Sequence, residues 1–244
     1  VVAPTVQLFV TCLVDGLYPQ VGEAAVTVLE MAGCRVEFPL DQTCCGQPAF
    51  NAGFRPEARR MVDHTLNVLD RTEGPIVLPS ASCADMLIHH APDLAADDPG
   101  LAQRATRVRR RIFELTAFLV DELGVVDFGA TLASRVAYHR SCHGLRNLGL
   151  RSQADRLLER VAGLERCQIA GEETCCGFGG LFSIELPEVS AAMMRSKLDA
   201  VESSGAEVLV GGDVSCLMHL AGGLRRRGSA IRVAHIAEVL AGAL

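Results

Sequence analysis

The chain has 244 residues, enough for one large domain or two of about 120 residues each. Its 49% hydrophobic and 21% charged residues are ordinary for a globular protein, and a formal charge of −6 argues against the basic surface that nucleic-acid binding needs. The longest run without a charged side chain ends at Val14, short of the ~20 residues of a membrane-spanning helix, so no span and a cytoplasmic location are expected.

In chain order, "VQLFVTC" is a β-rich run that delivers Cys12 at the carboxyl end of a strand. Apolar residues at three- and four-residue steps predict a helix over Val21–Ala32. "QTCCGQPAF", Gln42 to Phe50, then sets Cys44 and Cys45 side by side in a loop, and a second helix is expected over Glu57–Leu69. "PIVLPSASC" reads as a short strand ending at Cys83. The Pro, Gly and Asp of "APDLAADDPGLAQRA" read as a loop, and "RIFELTAFLVDEL", Arg111–Leu123, closes the half as a helix. A boundary falls in Gly124–Ser134, giving a first module over 1–126 and a second over 127–244.

The second half repeats the first. "RVAYHRSC" ends at Cys142, a helix is expected over Ala154–Ala162, and "ETCCGFGGLF" presents Cys175 and Cys176. A helix over Pro187–Ser203 follows, its proline suited to the first turn, where no N–H is needed. "EVLVGGDVSC" ends at Cys216, and "RVAHIAEVLAGAL" closes the chain at Arg232–Leu244. The offset between halves runs from 130 to 133 along the cysteines and drops to 121 in the closing element, which puts an insertion of about a dozen residues near the first-half loop. The sequence opens at Val1 and not at methionine, which a processed leader would also give.

Strands alternating with helices imply an α/β fold: two duplicated modules, each a parallel sheet flanked by helices, related by pseudo-twofold symmetry. Each module orders its cysteines alike: one cysteine, 31 or 32 residues, Cys-Cys-Gly, 36 or 38 residues, one cysteine. Loops at the carboxyl ends of parallel strands gather on one edge. That geometry brings Cys12, Cys44, Cys45 and Cys83 together, and likewise Cys142, Cys175, Cys176 and Cys216. A disulfide framework belongs to short secreted chains. Four converging thiolates instead mean zinc or an iron–sulfur cluster. Adjacent Cα atoms lie about 3.8 Å apart and their side chains diverge, so two neighbouring cysteines serve one small ion awkwardly and separate irons easily. Spacing therefore favours iron–sulfur, with zinc open. Gly46, Gly177, Gly179 and Gly180 let backbone N–H groups approach cluster sulfides. Cys34 and Cys167, outside the pattern, read as small buried hydrophobes.

"FVTCLVDGLYP", "DQTCCGQPAFNAG", "PSASCADM", "SCHGLRNLG", "EETCCGFGGLFS" and "CLMHLAGGL" together resemble the CCG-domain iron–sulfur proteins of the heterodisulfide reductase superfamily, and end to end their lactate-utilisation protein A branch. The resemblance implies an iron–sulfur electron-transfer subunit with one or two 4Fe–4S clusters. It implies an oxidoreductase subunit inactive alone, acting with two further soluble subunits, another iron–sulfur protein among them, to oxidise L-lactate to pyruvate. One departure stands out. The superfamily's fullest motif ends in C-x-x-C and supports a non-cubane cluster, but the first cysteine of that pair is Ser80 in one half and Asp213 in the other. Four thiolates per half suit an ordinary cubane. Asp213, beside Gly211 and Gly212, either shapes a turn or supplies an oxygen ligand.

Weaker signals remain. His143 and His219 read as partly exposed histidines, or as groups that donate a hydrogen bond to cluster sulfur, pass a proton or ligate. Arg104, Arg107, Arg109, Arg110 and Arg111, with Arg225, Arg226 and Arg227, read as solvated helix faces or as a docking surface for an acidic partner or the lactate carboxylate. No G-x-G-x-x-G opens a helix after a strand, so neither nicotinamide nor flavin is expected. The rival functions are a disulfide- or quinone-reductase subunit with the cluster at the active site, and a zinc-stabilised interaction module.

Overall fold

Each half of the chain builds a four-stranded parallel sheet in the computed structural model, which describes residues 3–244. Strands β1 (Thr5–Leu8), β2 (Arg35–Glu37), β3 (Ile76–Leu78) and β4 (Ile112–Glu114) lie in the order β2-β1-β3-β4. Strands β5 (Thr131–His139), β6 (Ala162–Cys167), β7 (Val208–Gly211) and β8 (Arg232–His235) lie in the order β6-β5-β7-β8. Helices flank both sheets, so the fold is the duplicated α/β architecture that the alternating pattern implies. The chain divides into two compact units, Val1–Gly124 and Val125–Leu244.

The inner strands are buried on both faces and read as unbroken apolar runs: Ile76, Val77 and Leu78 in β3, and Val208, Leu209 and Val210 in β7. The Arg55–Asp70 helix turns Ala58, Val62, Leu66 and Leu69 inward at helical steps. Burying each such Val or Leu stabilises the module by about 1.5–3 kcal/mol. In the second module Ala137, Leu198, Val201, Leu209 and Leu220 pack together, and Cys176 belongs to that same core. The Pro187–Ser203 helix spans the expected residues, with proline in its first turn.

Three expectations need correcting. The helix expected over Ala154–Ala162 ends at Leu158, and after a turn edge strand β6 starts at Ala162. Its sequence, "AGLERC", is half exposed and polar, so it lacks the β-branched signature, and Gly163 at φ 78° marks an irregular register against β5. The segments from Arg111 and Arg232 begin as strands β4 and β8 and turn helical only at Leu115 and Ile236. Glu114 and His235 start those helices by accepting hydrogen bonds from the backbone N–H groups of Thr116 and Ala237. The insertion in the first half is not a loop: Ala91–Leu94 and Pro99–Arg109 are helical. Asp98 caps the second of these through the Leu101 N–H at 3.0 Å, and Pro99 occupies its first turn, so the residues read as loop markers are helix-start signals.

In each sheet the chain leaves the first strand outward to one neighbour and then crosses to the other. The crevice at the carboxyl ends of β1 and β3, and of β5 and β7, is therefore a topological switch point, where open α/β sheets bind their ligands.

Candidate metal centre

The first module brings its four cysteines to that crevice. Cys12 opens the helical turn Cys12–Leu17 after β1, and Cys83 is the third residue of the helix Ala81–Asp85 after β3. Cys44 and Cys45 arrive on the loop that follows β2. Cys12 Sγ lies 3.7 Å from Cys44 Sγ, and Cys45 Sγ lies 3.3 Å from Cys83 Sγ. The loop is tied down on both sides: Thr65 Oγ1 donates to the Cys44 carbonyl at 3.2 Å, and Gln47 Nε2 to the Ser82 carbonyl at 3.1 Å.

The second module repeats the arrangement, with the thiols of Cys142, Cys175, Cys176 and Cys216 interacting in that order. The Gly177 N–H donates to Cys175 Sγ at 3.3 Å and the Phe178 N–H to Cys176 Sγ at 3.5 Å. Gly177 is required here: its φ is 88°, and a Cβ would come within 2.6 Å of the Ser190 carbonyl oxygen. Gly46, at φ 90°, approaches the equivalent Ala58 carbonyl more loosely, a Cβ there coming to 3.2 Å. Gly179 and Gly180 stand one step further on, in the turn that starts the helix Phe182–Glu185, where their carbonyls accept from the Phe182 and Ser183 N–H groups.

The electrostatics divide the sulfurs into donors and acceptors. Cys44 is held down to about 3 by the Cys12 thiol first, then by Cys45 and the Gly46 N–H. Cys175 is held at about 2 by Cys142 and Cys176. The donors Cys12, Cys45, Cys142 and Cys176 move up, because losing the proton would break the bond and set two thiolates side by side. Cys216 is lowered to about 6, chiefly by Cys176 and then by His139.

Ser80 and Asp213 both act as helix N-caps. Ser80 Oγ accepts from the Cys83 N–H at 3.5 Å, and Asp213 Oδ1 accepts from the Ser215 N–H at 3.1 Å and its hydroxyl at 2.6 Å. Each cap sets the following cysteine at the third helical position, in the first turn of its helix.

Cys34 is buried, with its thiol pushed up by burial, and Cys167 packs against the second module's core. His219 Nε2 lies 3.4 Å from Ser190 Oγ and its ring 5.8 Å from that of Phe178, with the Cys175 sulfur near enough to act on it electrostatically. His143 begins a π-helical turn, His143–Asn147, directly after Cys142. Of the basic runs, Arg104, Arg107 and Arg227 are engaged with Asp63, Asp70, and Asp199 with Glu202, and Arg111 binds the carbonyls of Gly74 and Leu69. Arg109, Arg110, Arg225 and Arg226 stay exposed.

Two features escaped the sequence reading. Asp85, fully buried, lies 2.7 Å through Oδ1 from His89 Nδ1, an i,i+4 pair just after Cys83. His139 ends β5, is 1% exposed, and with Cys176 and Cys216 forms a set whose potential ligand atoms all lie within 4.8 Å of one another. Its signal was available: aligning the halves on Cys12 and Cys142 sets His139 opposite Phe9, a polar residue at a position the fold buries.

The donor set is soft and, apart from His139, made of sulfur, with backbone N–H groups aimed at it. That fits an iron–sulfur cluster or zinc and does not fit a hard oxygen-seeking cation.

Two stretches, residues 6–88 and 136–221, match the family model described as the CCG cysteine-rich domain. Lactate utilization protein A of an Exiguobacterium species is 47% identical over 238 residues, covering 97% of each chain. The protein of that name from Bacillus subtilis is 44% identical over 235 residues, 96% of this chain and 98% of its own. A crystal structure of a hypothetical protein from Helicobacter pylori shares the fold at a TM-score of 0.65 and 11% identity, over 97% of this chain and 48% of that one.

Proposed function

The chain belongs to the CCG cysteine-rich family, within its lactate utilization protein A group, and from that premise we propose that it is the iron–sulfur electron-transfer subunit of a complex that oxidises L-lactate to pyruvate. The observation that carries this reading is the convergence of four thiols at the switch point of each sheet. Cys12, Cys44, Cys45 and Cys83 would hold one 4Fe–4S cluster, and Cys142, Cys175, Cys176 and Cys216 another. A cluster so held takes up and releases single electrons. Two of them match the two electrons that lactate gives up on becoming pyruvate. The protein's own part is to fix the sulfurs, donate N–H groups to them and hold Cys45 and Cys176 in apolar surroundings. With Ser80 and Asp213 engaged as caps, four sulfurs per module favour the cubane over the five-cysteine site of a disulfide reductase.

Zinc is the second reading, favoured by one distance. A tetrahedral zinc with bonds of ~2.3 Å to sulfur sets its sulfurs about 3.8 Å apart, close to the 3.7 Å between Cys12 and Cys44.

The chain shows no nucleotide loop, so the step that removes hydride from lactate falls to a partner subunit. The exposed Arg109, Arg110, Arg225 and Arg226 are the candidate docking charges, acting on association rate and salt dependence. The test is lactate oxidation with an artificial acceptor. The isolated, cluster-loaded chain is expected to be inactive, and adding its two partner subunits is expected to reduce its clusters. Robust oxidation by this chain alone would contradict the reading, and would make the Asp85–His89 pair the first place to look for a base.

A further inference from the structure

The two modules share a plan but not their surroundings. Phe9 and His139 both lie three residues before their cysteines. The pairing registers agree, since Leu8 pairs with Val77 and Tyr138 with Val210, one residue earlier in each strand. Phe9 is fully buried, and His139 is buried in the same register, with its ring nitrogen within 4.8 Å of the Cys176 and Cys216 sulfurs. A second pair differs likewise. Met61 and Met193 face Gly46 and Gly177 at equivalent places. Four residues on, Thr65 in one module answers to Lys197 in the other. Thr65 gives a neutral hydroxyl to the Cys44 carbonyl. Lys197, 1% exposed, gives its ammonium to the carbonyls of Gly171 and Glu172 at 3.0 and 2.9 Å, on the loop leading into Cys175. Burial pushes the Lys197 ammonium's pKa down, and the nearby sulfurs of Cys176, Cys142 and Cys175 with the carboxylate of Glu172 offset part of that cost.

We propose that His139 and Lys197 make the second module the electron sink of the pair, its cluster having the higher reduction potential, with His139 as hydrogen-bond donor to the sulfurs of Cys176 and Cys216 and Lys197 as a fixed positive charge. This rests on the iron–sulfur reading above. Reduction adds one negative charge to a cluster, and both a nearby cation and an N–H aimed at its sulfurs stabilise that extra charge. The first module offers Phe9, Thr65 and the neutral Ser80 in the same places, and no counterpart of either donor. Asp213 works in the opposite direction, and the N–H and hydroxyl of Ser215 that donate to it screen part of its charge. The first electron delivered to the chain therefore resides in the second module and the next in the first, with no bond made or broken.

The experiment is an EPR-monitored redox titration of the full chain, with iron and sulfide counted on each sample. The intact protein is expected to show two midpoint potentials. His139→Phe, which copies a side chain the fold already accommodates at Phe9, is expected to keep full iron and lower only the higher potential. The shift should reach at least ~60 mV, a tenfold change in a one-electron equilibrium. Lys197→Thr is expected to move it the same way, and His139→Gln, which retains an N–H donor, to restore much of the loss. The reciprocal Phe9→His should raise the lower potential. A single potential for both clusters, or two potentials unmoved by these substitutions at full iron content, would overturn the proposal. Loss of iron in His139→Phe would also overturn it, because it would make His139 a ligand. Absence of iron and sulfide from the intact protein would instead remove the iron–sulfur reading itself.

Discussion

Cys45→Ser and Cys176→Ser are each expected to cost the chain roughly half of its iron while leaving it folded, because serine is a poor iron ligand in place of thiolate. Both residues are 2% exposed, so water cannot take the place of their sulfurs easily. A buried hydroxyl without a partner costs about 1–3 kcal/mol, but here serine keeps one: Cys45 already donates to Cys83 at 3.3 Å. The fold should therefore survive, with its circular dichroism unchanged. Cys34→Ser and Cys167→Ser supply the contrast, expected to lose some stability and no iron. Full iron in both Cys-Cys-Gly variants would sink the ligand assignment.

Removal of the metal is expected to lower the melting temperature by on the order of 10 °C. A ligand that binds only the folded state stabilises it by about 2.7 kcal/mol at a hundred times its dissociation constant, and each kcal/mol moves a domain of this size by about 4 °C. The physical reason lies in the sites themselves. Without a cluster each module leaves four thiols to satisfy one another, with Cys44 and Cys175 ionised and their neighbours' protons held against them. Hydrogen exchange should quicken at residues 44–50 and 175–182, the two Cys-Cys-Gly loops. Equal exchange in loaded and metal-free protein would contradict this.

The sequence made the repeat legible because the same chemistry recurs at nearly constant spacing, and spacing survives when individual side chains drift. Strands β1, β3, β5 and β7 were visible as apolar runs. The edge strands β2 and β6 were not, since one exposed face lets Arg35, Glu37, Glu165 and Arg166 into them. The helix Pro99–Arg109 was misread because Asp98 and Pro99 serve equally as turn residues and as a helix start. His139 was overlooked for a different reason: aligning the halves sets it opposite Phe9 at a core position, but only the fold shows that this position borders the sulfurs. Lys197 was concealed likewise, a charge on a helix face that looks solvated until the Gly171–Glu173 loop is laid over it. The caps at Ser80 and Asp213 show the reverse case, where comparison with a fuller motif raised a question of ligands and the local hydrogen bonds supply a simpler role.

The most direct measurement is a count of iron, acid-labile sulfide and zinc per chain on protein purified and handled without oxygen. Two four-iron clusters predict about eight irons and eight sulfides per chain, a brown solution and no stoichiometric zinc. One zinc per module, no sulfide and a colourless solution would contradict the account.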